Sequence, residues 1–389
     1  MRKKAIINFT FFSFFLLFIT TILIHRSELA YYNNAHFNSS FVKCSSLRFL
    51  SKDDCFESTI LLYNHKLGLR TTIKYQEMAI KKLGDFGECH TISHLLGKLG
   101  YSAYLQGQLI NYSSCGDGYV HGFLEASIED GGFSKLYKAM GVICGKSTAQ
   151  LEDCFHGVGH GLYLAGKSIS FTAFFCGDKN FNNLSKELRI FYCFRGFAMQ
   201  KDFNSTLTLS GPYDPKVFKY DKVRDLFNLC NIKDDNAAEG LCLMEFNRYI
   251  LDDQFYMAPY YKVANYNKYK IIIKDAFTYA PVVARVCDMK IVKLANRPDY
   301  SCFSELGADV ASLAYSNFSF NEDLTIKLER TVCGNDDSLD CDSAYLLGLY
   351  EHLGSKAEKL ALKSCSIYMG KRNFLCRERV LSIKAHYTF

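Results

Sequence analysis

Two histidine pairs of equal spacing stand near each other in this chain: His90 and His94 in Cys89-His90-Thr91-Ile92-Ser93-His94, and His156 and His160 in Cys154-Phe155-His156-Gly157-Val158-Gly159-His160-Gly161. Between them His121 is followed, at the same interval, by the carboxylate Glu125. Residues four apart on a helix share one face with their β-carbons about 5–6 Å apart, so both side chains of each pair can reach one point. Five of the ten histidines fall between residues 90 and 160, which even scattering along the chain does not produce. Imidazole and carboxylate without thiolate form a donor set for iron, copper or zinc. The expected metal ligands are therefore His90, His94, His121, Glu125, His156 and His160. These are more than one tetrahedral ion takes, which points to a two-metal centre or to one ion with histidines left over to move protons.

Neighbouring residues extend this expectation. Arg195 in Cys193-Phe194-Arg195-Gly196 stands where the histidine pattern ends, and its guanidinium suits an anionic substrate group. With Glu125 it is a candidate for catalysis. Glu88, Asp117 and Asp153 are placed to accept from ring N–H groups and fix imidazole tautomers. Superposing the second cysteine of each pair makes His121 equivalent to His160. Gly122, Gly157, Gly161 and Gly196 beside these positions weaken a helix relative to alanine and so point to close backbone or ligand approach. The same histidines also fit a hydrogen-bonded network, a pH sensor or a bis-histidine haem site, although no Cys-x-x-Cys-His attachment motif occurs. Other catalytic signatures are missing: there is no His-Glu-x-x-His and no Gly-x-Ser-x-Gly. Gly141-Val142-Ile143-Cys144-Gly145-Lys146-Ser147 has three residues between its glycines where a phosphate loop needs four.

Helices must position these side chains. Trp is absent and Pro occurs only five times in 389 residues, a poor supply of turn-formers for a many-stranded fold. The sixteen cysteines fall into eight consecutive pairs, from Cys44 and Cys55 to Cys365 and Cys376. Apolar residues at helical spacing run into the first cysteine of a pair, as Phe133, Leu136, Met140 and Ile143 do before Cys144. A short link of capping and helix-stopping residues follows, and the second cysteine opens another apolar stretch. The predicted unit is an αα-hairpin with a disulfide across its turn. From Cys154 to Cys376 the second cysteines recur at 39, 49, 60, 39 and 35 residues, so the predicted fold is all-α, an irregular αα-hairpin repeat array of solenoid or toroid type. Cysteines that bind zinc prefer pairs two to four residues apart, and no Cys-x-x-Cys is present.

The amino terminus sets the expected compartment. Residues 5–24 form an uncharged run preceded by Arg2, Lys3 and Lys4, long enough at about 1.5 Å per residue to cross the hydrocarbon core of a bilayer. The basic residues hold that end in the cytoplasm, so residues 27–389 are expected outside it, in a secretory lumen, the periplasm or at the cell surface, where disulfides persist. Asn38, Asn111, Asn183, Asn204 and Asn317 are glycosylation acceptors consistent with a glycoprotein. The expected organisation is 1–26 tail and signal-anchor helix, 27–75 tether and first cystine hairpin, 76–200 histidine-bearing repeats and 201–389 further stapled repeats. A net charge of +6 without a basic run interleaved with aromatics argues against a nucleic-acid partner. The function expected is that of a membrane-anchored extracytoplasmic metalloprotein, a metal-dependent enzyme of redox type ahead of a hydrolase. The contrasting expectation is a stapled helical-repeat scaffold that binds a protein or glycan without catalysis.

Overall fold

Neighbouring cysteines are joined as expected: Cys44–Cys55, Cys144–Cys154, Cys176–Cys193, Cys230–Cys242, Cys287–Cys302, Cys333–Cys341 and Cys365–Cys376. Cys89 is disulfide-bonded as well, while Cys115, its expected partner, lies outside the described residues. The computed structural model describes residues 34–387 apart from 45, 47–48, 84–88, 111, 113–116, 146, 180–183, 208–221, 253–265, 298–300, 319–320, 335 and 337–338. Among the described residues the chain is all-helical, without a strand. The first cysteine of each of these pairs sits at a helix end or one residue past it, and the second lies in the next helix, except that the short helix Lys290–Ala295 stands between Cys287 and the helix opened by Cys302. Each bridge closes a short loop, with partners 8 to 17 positions apart in sequence, and stabilises the chain by about 2–4 kcal/mol, chiefly by restricting the unfolded state.

The chain divides into two compact units, Met1–Phe123 and Leu124–Phe389. In unit 1 the helical residues 34–44 precede the helices Phe49–Leu67, Leu69–Leu83 and Cys89–Leu105 and the opening turn of Gly118–Ile143, inside which the division falls. An aromatic cluster holds the first of these together: Phe37 meets Phe41 at 4.5 Å and Tyr63 at 4.8 Å between ring centroids, and Phe41 meets Phe56 at 4.9 Å. Gln76 Nε2 donates to Ser93 Oγ at 3.3 Å, tying Leu69–Leu83 to the histidine-bearing helix. Tyr119 is fully buried, and its hydroxyl donates to the Ile110 carbonyl at 2.8 Å. Burial pushes its phenol up to about 12, so it stays a neutral donor across the ordinary pH range.

In unit 2 the helix boundaries follow local capping chemistry. Ser147 opens Thr148–Leu164 with a capping box: its hydroxyl accepts from Gln150 N at 3.3 Å, and Gln150 Oε1 accepts from Ser147 N at 3.3 Å. Arg189 closes Ile169–Cys176 by donating to the carbonyls of Cys176 at 2.9 Å and Asp178 at 3.0 Å, and to that of Leu184. This satisfies acceptors that a helix end leaves bare. The helix Gly118–Ile143 is broken at Gly131 and Gly132, the latter with φ 65°. Its last turns thereby bring Phe133 to 5.5 Å from Phe175.

The single-pass membrane placement expected from the sequence is corrected. No helix among the described residues is long and apolar enough to cross a membrane. Even the 26-residue Gly118–Ile143 carries Glu125, Glu129, Asp130, Lys135 and Lys138, charges that hydrocarbon does not tolerate. The apolar run 5–24 lies outside the described residues. Of the acceptor asparagines, Asn38 is part-buried on the helical residues 34–44, and Asn111 and Asn183 lie outside the described residues.

Candidate metal centre

In unit 1, the helix Cys89–Leu105 carries His90 and His94 one turn apart, with their Nε2 atoms 3.0 Å from each other. His121, on the first turn of Gly118–Ile143, faces both: ring centroids lie 5.1 Å from His90 and 5.2 Å from His94, against 4.8 Å between His90 and His94. One ring nitrogen from each of the three lies within 4.8 Å of the others. His121 is 2% exposed, whereas His90 and His94 are half-buried. Glycines make the convergence possible. A Cβ on Gly118 would strike the His90 carbonyl oxygen, and one on Gly122 the His94 carbonyl oxygen. Gly97 answers from the other helix, where a Cβ would meet Tyr119 O and Phe123 N. The two helices therefore cross at backbone contact, and His121, flanked by glycines on the same face, is delivered to the pair.

The spacing fits a metal ion. Imidazole nitrogens bind such ions at about 2.0–2.1 Å, which puts two ligands of one ion about 3 Å apart. An Nε2–Nε2 distance of 3.0 Å is that separation, and it also suits a single N–H···N hydrogen bond. A third imidazole crowded against the pair is what a metal site needs and a lone hydrogen bond does not. Among the described residues no cysteine is free, so none of them offers a competing thiol.

In unit 2, His156 and His160 repeat the arrangement on Thr148–Leu164, with Nε2 atoms 3.1 Å apart. His160 is 1% exposed, and its Nδ1 lies 2.9 Å from Gln200 Oε1. An amide oxygen only accepts, so Nδ1 carries the hydrogen and Nε2 keeps its lone pair. Glu125 Oε1 stands 3.9 Å from the same Nδ1, on the side of an outer acceptor and not beside the Nε2 pair. Asp117 serves the backbone: its carbonyl accepts from Val120 N at 2.8 Å and His121 N at 3.2 Å at the start of the helix. Glu88 lies outside the described residues.

The same helix crossing recurs here. A Cβ on Gly159 would meet Cys193 O and Phe197 N, and one on Gly196 would meet His156 O. Matching the glycine contacts pairs Gly97 with Gly159, His94 with His156, and His121 with Arg195. The register expected from the cysteines, with His121 equivalent to His160, differs because helix contact is set by the glycines and not by the bridges. Arg195 is 3.8 Å from Glu305 Oε1, a carboxylate that the sequence did not single out. Gln200 was missed too, since a lone glutamine carries no spacing signal.

A second group of ligand types, Glu329, Cys333 and Asp342, also lies close together, but its chemistry is that of a buried proton. Cys333 is bonded to Cys341. Arg372 holds Asp342 through two bonds of 3.0 Å, from Nε to Oδ2 and from Nη2 to Oδ1, and also donates to the Cys333 and Gly334 carbonyls at 2.7 and 3.0 Å. Tyr368 donates to Glu329, lies 3.0 Å from Asp342 Oδ1, and stacks under the Arg372 guanidinium at 3.9 Å. Glu329 is 1% exposed and its Oε2 has no hydrogen-bond partner. Burial pushes its carboxyl well above the ordinary value, and the Asp342 carboxylate adds to the push.

Fold and site together define an all-helical, disulfide-stapled chain with a histidine cluster able to hold a metal ion. No protein-family model, curated protein or solved structure matches it.

Proposed function

We propose that this protein is a metal-dependent enzyme of an oxidising compartment, built as an irregular array of stapled hairpins, with the ion held by His90, His94 and His121. The observation that carries the reading is the convergence of three imidazoles, two with Nε2 atoms 3.0 Å apart and the third within 5.2 Å of both rings. Three protein ligands leave a coordination position for water or substrate, the pattern of catalytic rather than closed structural sites. An all-imidazole set takes iron, copper or zinc, and the affinity order of divalent ions places copper first. A redox reaction therefore leads over hydrolysis. The seven described bridges support a compartment that keeps thiols oxidised.

Elemental analysis of the purified full chain tests the reading. Near-stoichiometric metal is expected in the natural protein, and one ion fewer in a His90→Ala, His94→Ala double variant whose helical content is unchanged. A second reading, a scaffold without catalysis, is favoured by Met369, Phe374 and Leu381, which stand 89%, 62% and 54% exposed at the last helix. Metal-free natural protein would select it.

A further inference from the structure

We propose that unit 2 takes a second metal ion, a late first-row divalent cation such as Zn²⁺ or Cu²⁺, between Nε2 of His156 and Nε2 of His160. Its ligands are other residues than the three assigned to the unit 1 ion, and different variants test the two assignments. Three observations carry it. The Nε2 atoms lie 3.1 Å apart, about the separation of two imidazole nitrogens on one ion. The Gln200 amide oxygen, 2.9 Å from His160 Nδ1, fixes the tautomer whose Nε2 lone pair is available, the outer-sphere arrangement that metal-bound histidines use. Glu125, 3% exposed and 3.9 Å from that Nδ1, places a buried carboxyl group behind the ring.

The surrounding charges allow a cation. Arg195, which in this crossing holds the place that His121 holds in unit 1, is paired with Glu305 at 3.8 Å, so its charge is balanced. The helix backbone fixes the pair from below: Gly196 packs on the His156 carbonyl oxygen and close to His160 N, leaving the ring ends to converge. His156 is half-buried, which gives an ion a way in. Two imidazoles leave open positions for water or an exogenous donor.

The experiment counts ions. The full chain is stripped with chelator and titrated with Zn²⁺, with binding followed by calorimetry and bound metal measured after desalting. Two ions per chain are expected for the natural protein. His156→Ala is expected to bind one, and Gln200→Leu is expected to weaken the second ion by about 10–100-fold while leaving the first unchanged. One ion or none in the natural protein, or two in His156→Ala at unchanged affinity, would overturn the proposal and leave the 3.1 Å contact as an ordinary hydrogen bond. In the His90→Ala, His94→Ala variant one ion is again expected. Were that variant to keep both ions while His156→Ala lost one, the unit 1 reading would fail and the second site would stand. Should His156→Ala not fold, the natural stoichiometry and the Gln200→Leu affinity decide.

Discussion

Replacing Gly196 by alanine is expected to destabilise the protein by about 3 kcal/mol, near the upper end of what overpacking costs. A methyl at this position would lie on the His156 carbonyl oxygen and beside His160 N. These are backbone atoms, so no rotamer change relieves the clash and the helices Thr148–Leu164 and Lys186–Leu207 must separate. The same displacement pulls His156 and His160 away from Gln200, which links the stability loss to the chemistry of the cluster. Gly141→Ala is the control. Gly141 lies in the helix Gly118–Ile143 with nothing within 4 Å of an added Cβ, and alanine there should stabilise by up to about 1 kcal/mol through helix propensity. Chemical denaturation of both variants reads the two signs. Equal effects would mean that the crossing is not set by glycine.

The second large effect lies in the buried acidic cluster. Asp342→Asn should cost about 3 kcal/mol, because it leaves the Arg372 guanidinium, 20% exposed, without the carboxylate that holds it at two points. Glu329→Gln should behave in the opposite way. The Glu329 carboxyl is raised above its ordinary value of 4.5 by burial, so the folded chain keeps a proton that the unfolded chain releases. Below that ordinary value both states are protonated and the folded state has its full advantage. As pH rises from there toward the raised value, stability falls by up to about 1.4 kcal/mol per pH unit. Glutamine is already neutral and removes this slope, so the variant should gain on the natural protein progressively from pH 5 upward. Urea midpoints across pH 5–8 measure it. Parallel curves for the two proteins would show that Glu329 is ionised in the fold.

Much of this architecture is visible in the amino-acid order for a physical reason. Consecutive helices of a hairpin bring the end of one beside the body of the next, so a cysteine at Cys144 meets the nearest one downstream, Cys154, and neighbouring cysteines are likewise joined in the other described bridges. The histidine pairs were equally legible, since spacing of four on a helix leaves little choice of face. What the cysteines could not reveal was which histidines meet across helices. Cys302 opens its helix, while Cys154 and Cys193 lie well inside theirs, so the bridge is a poor ruler of helix register. Gly97, Gly122, Gly159 and Gly196 set that register, by removing side chains where backbones touch. Gly122 and Gly196 are legible as close-approach positions beside the histidine pattern, Gly97 and Gly159 are not, and which carbonyl each would face needs three dimensions. Gln200, Glu305 and the Glu329 cluster were invisible because single polar residues acquire meaning only from what folding places beside them.

The membrane placement fails for a related reason. Hydropathy of a terminal run describes that run alone, and no described helix shares it. The glycine-set crossing of Cys89–Leu105 with Gly118–Ile143 is the feature on which the functional reading depends. It presents His90, His94 and His121 as a unit.

Anomalous X-ray scattering from crystals of the metal-loaded full chain, recorded above and below the absorption edge of the bound ion, tests that unit directly. The account predicts an edge-specific peak about 2.0–2.1 Å from Nε2 of His90, from Nε2 of His94 and from one ring nitrogen of His121. Imidazoles hydrogen-bonded to one another with no anomalous density between them would contradict it.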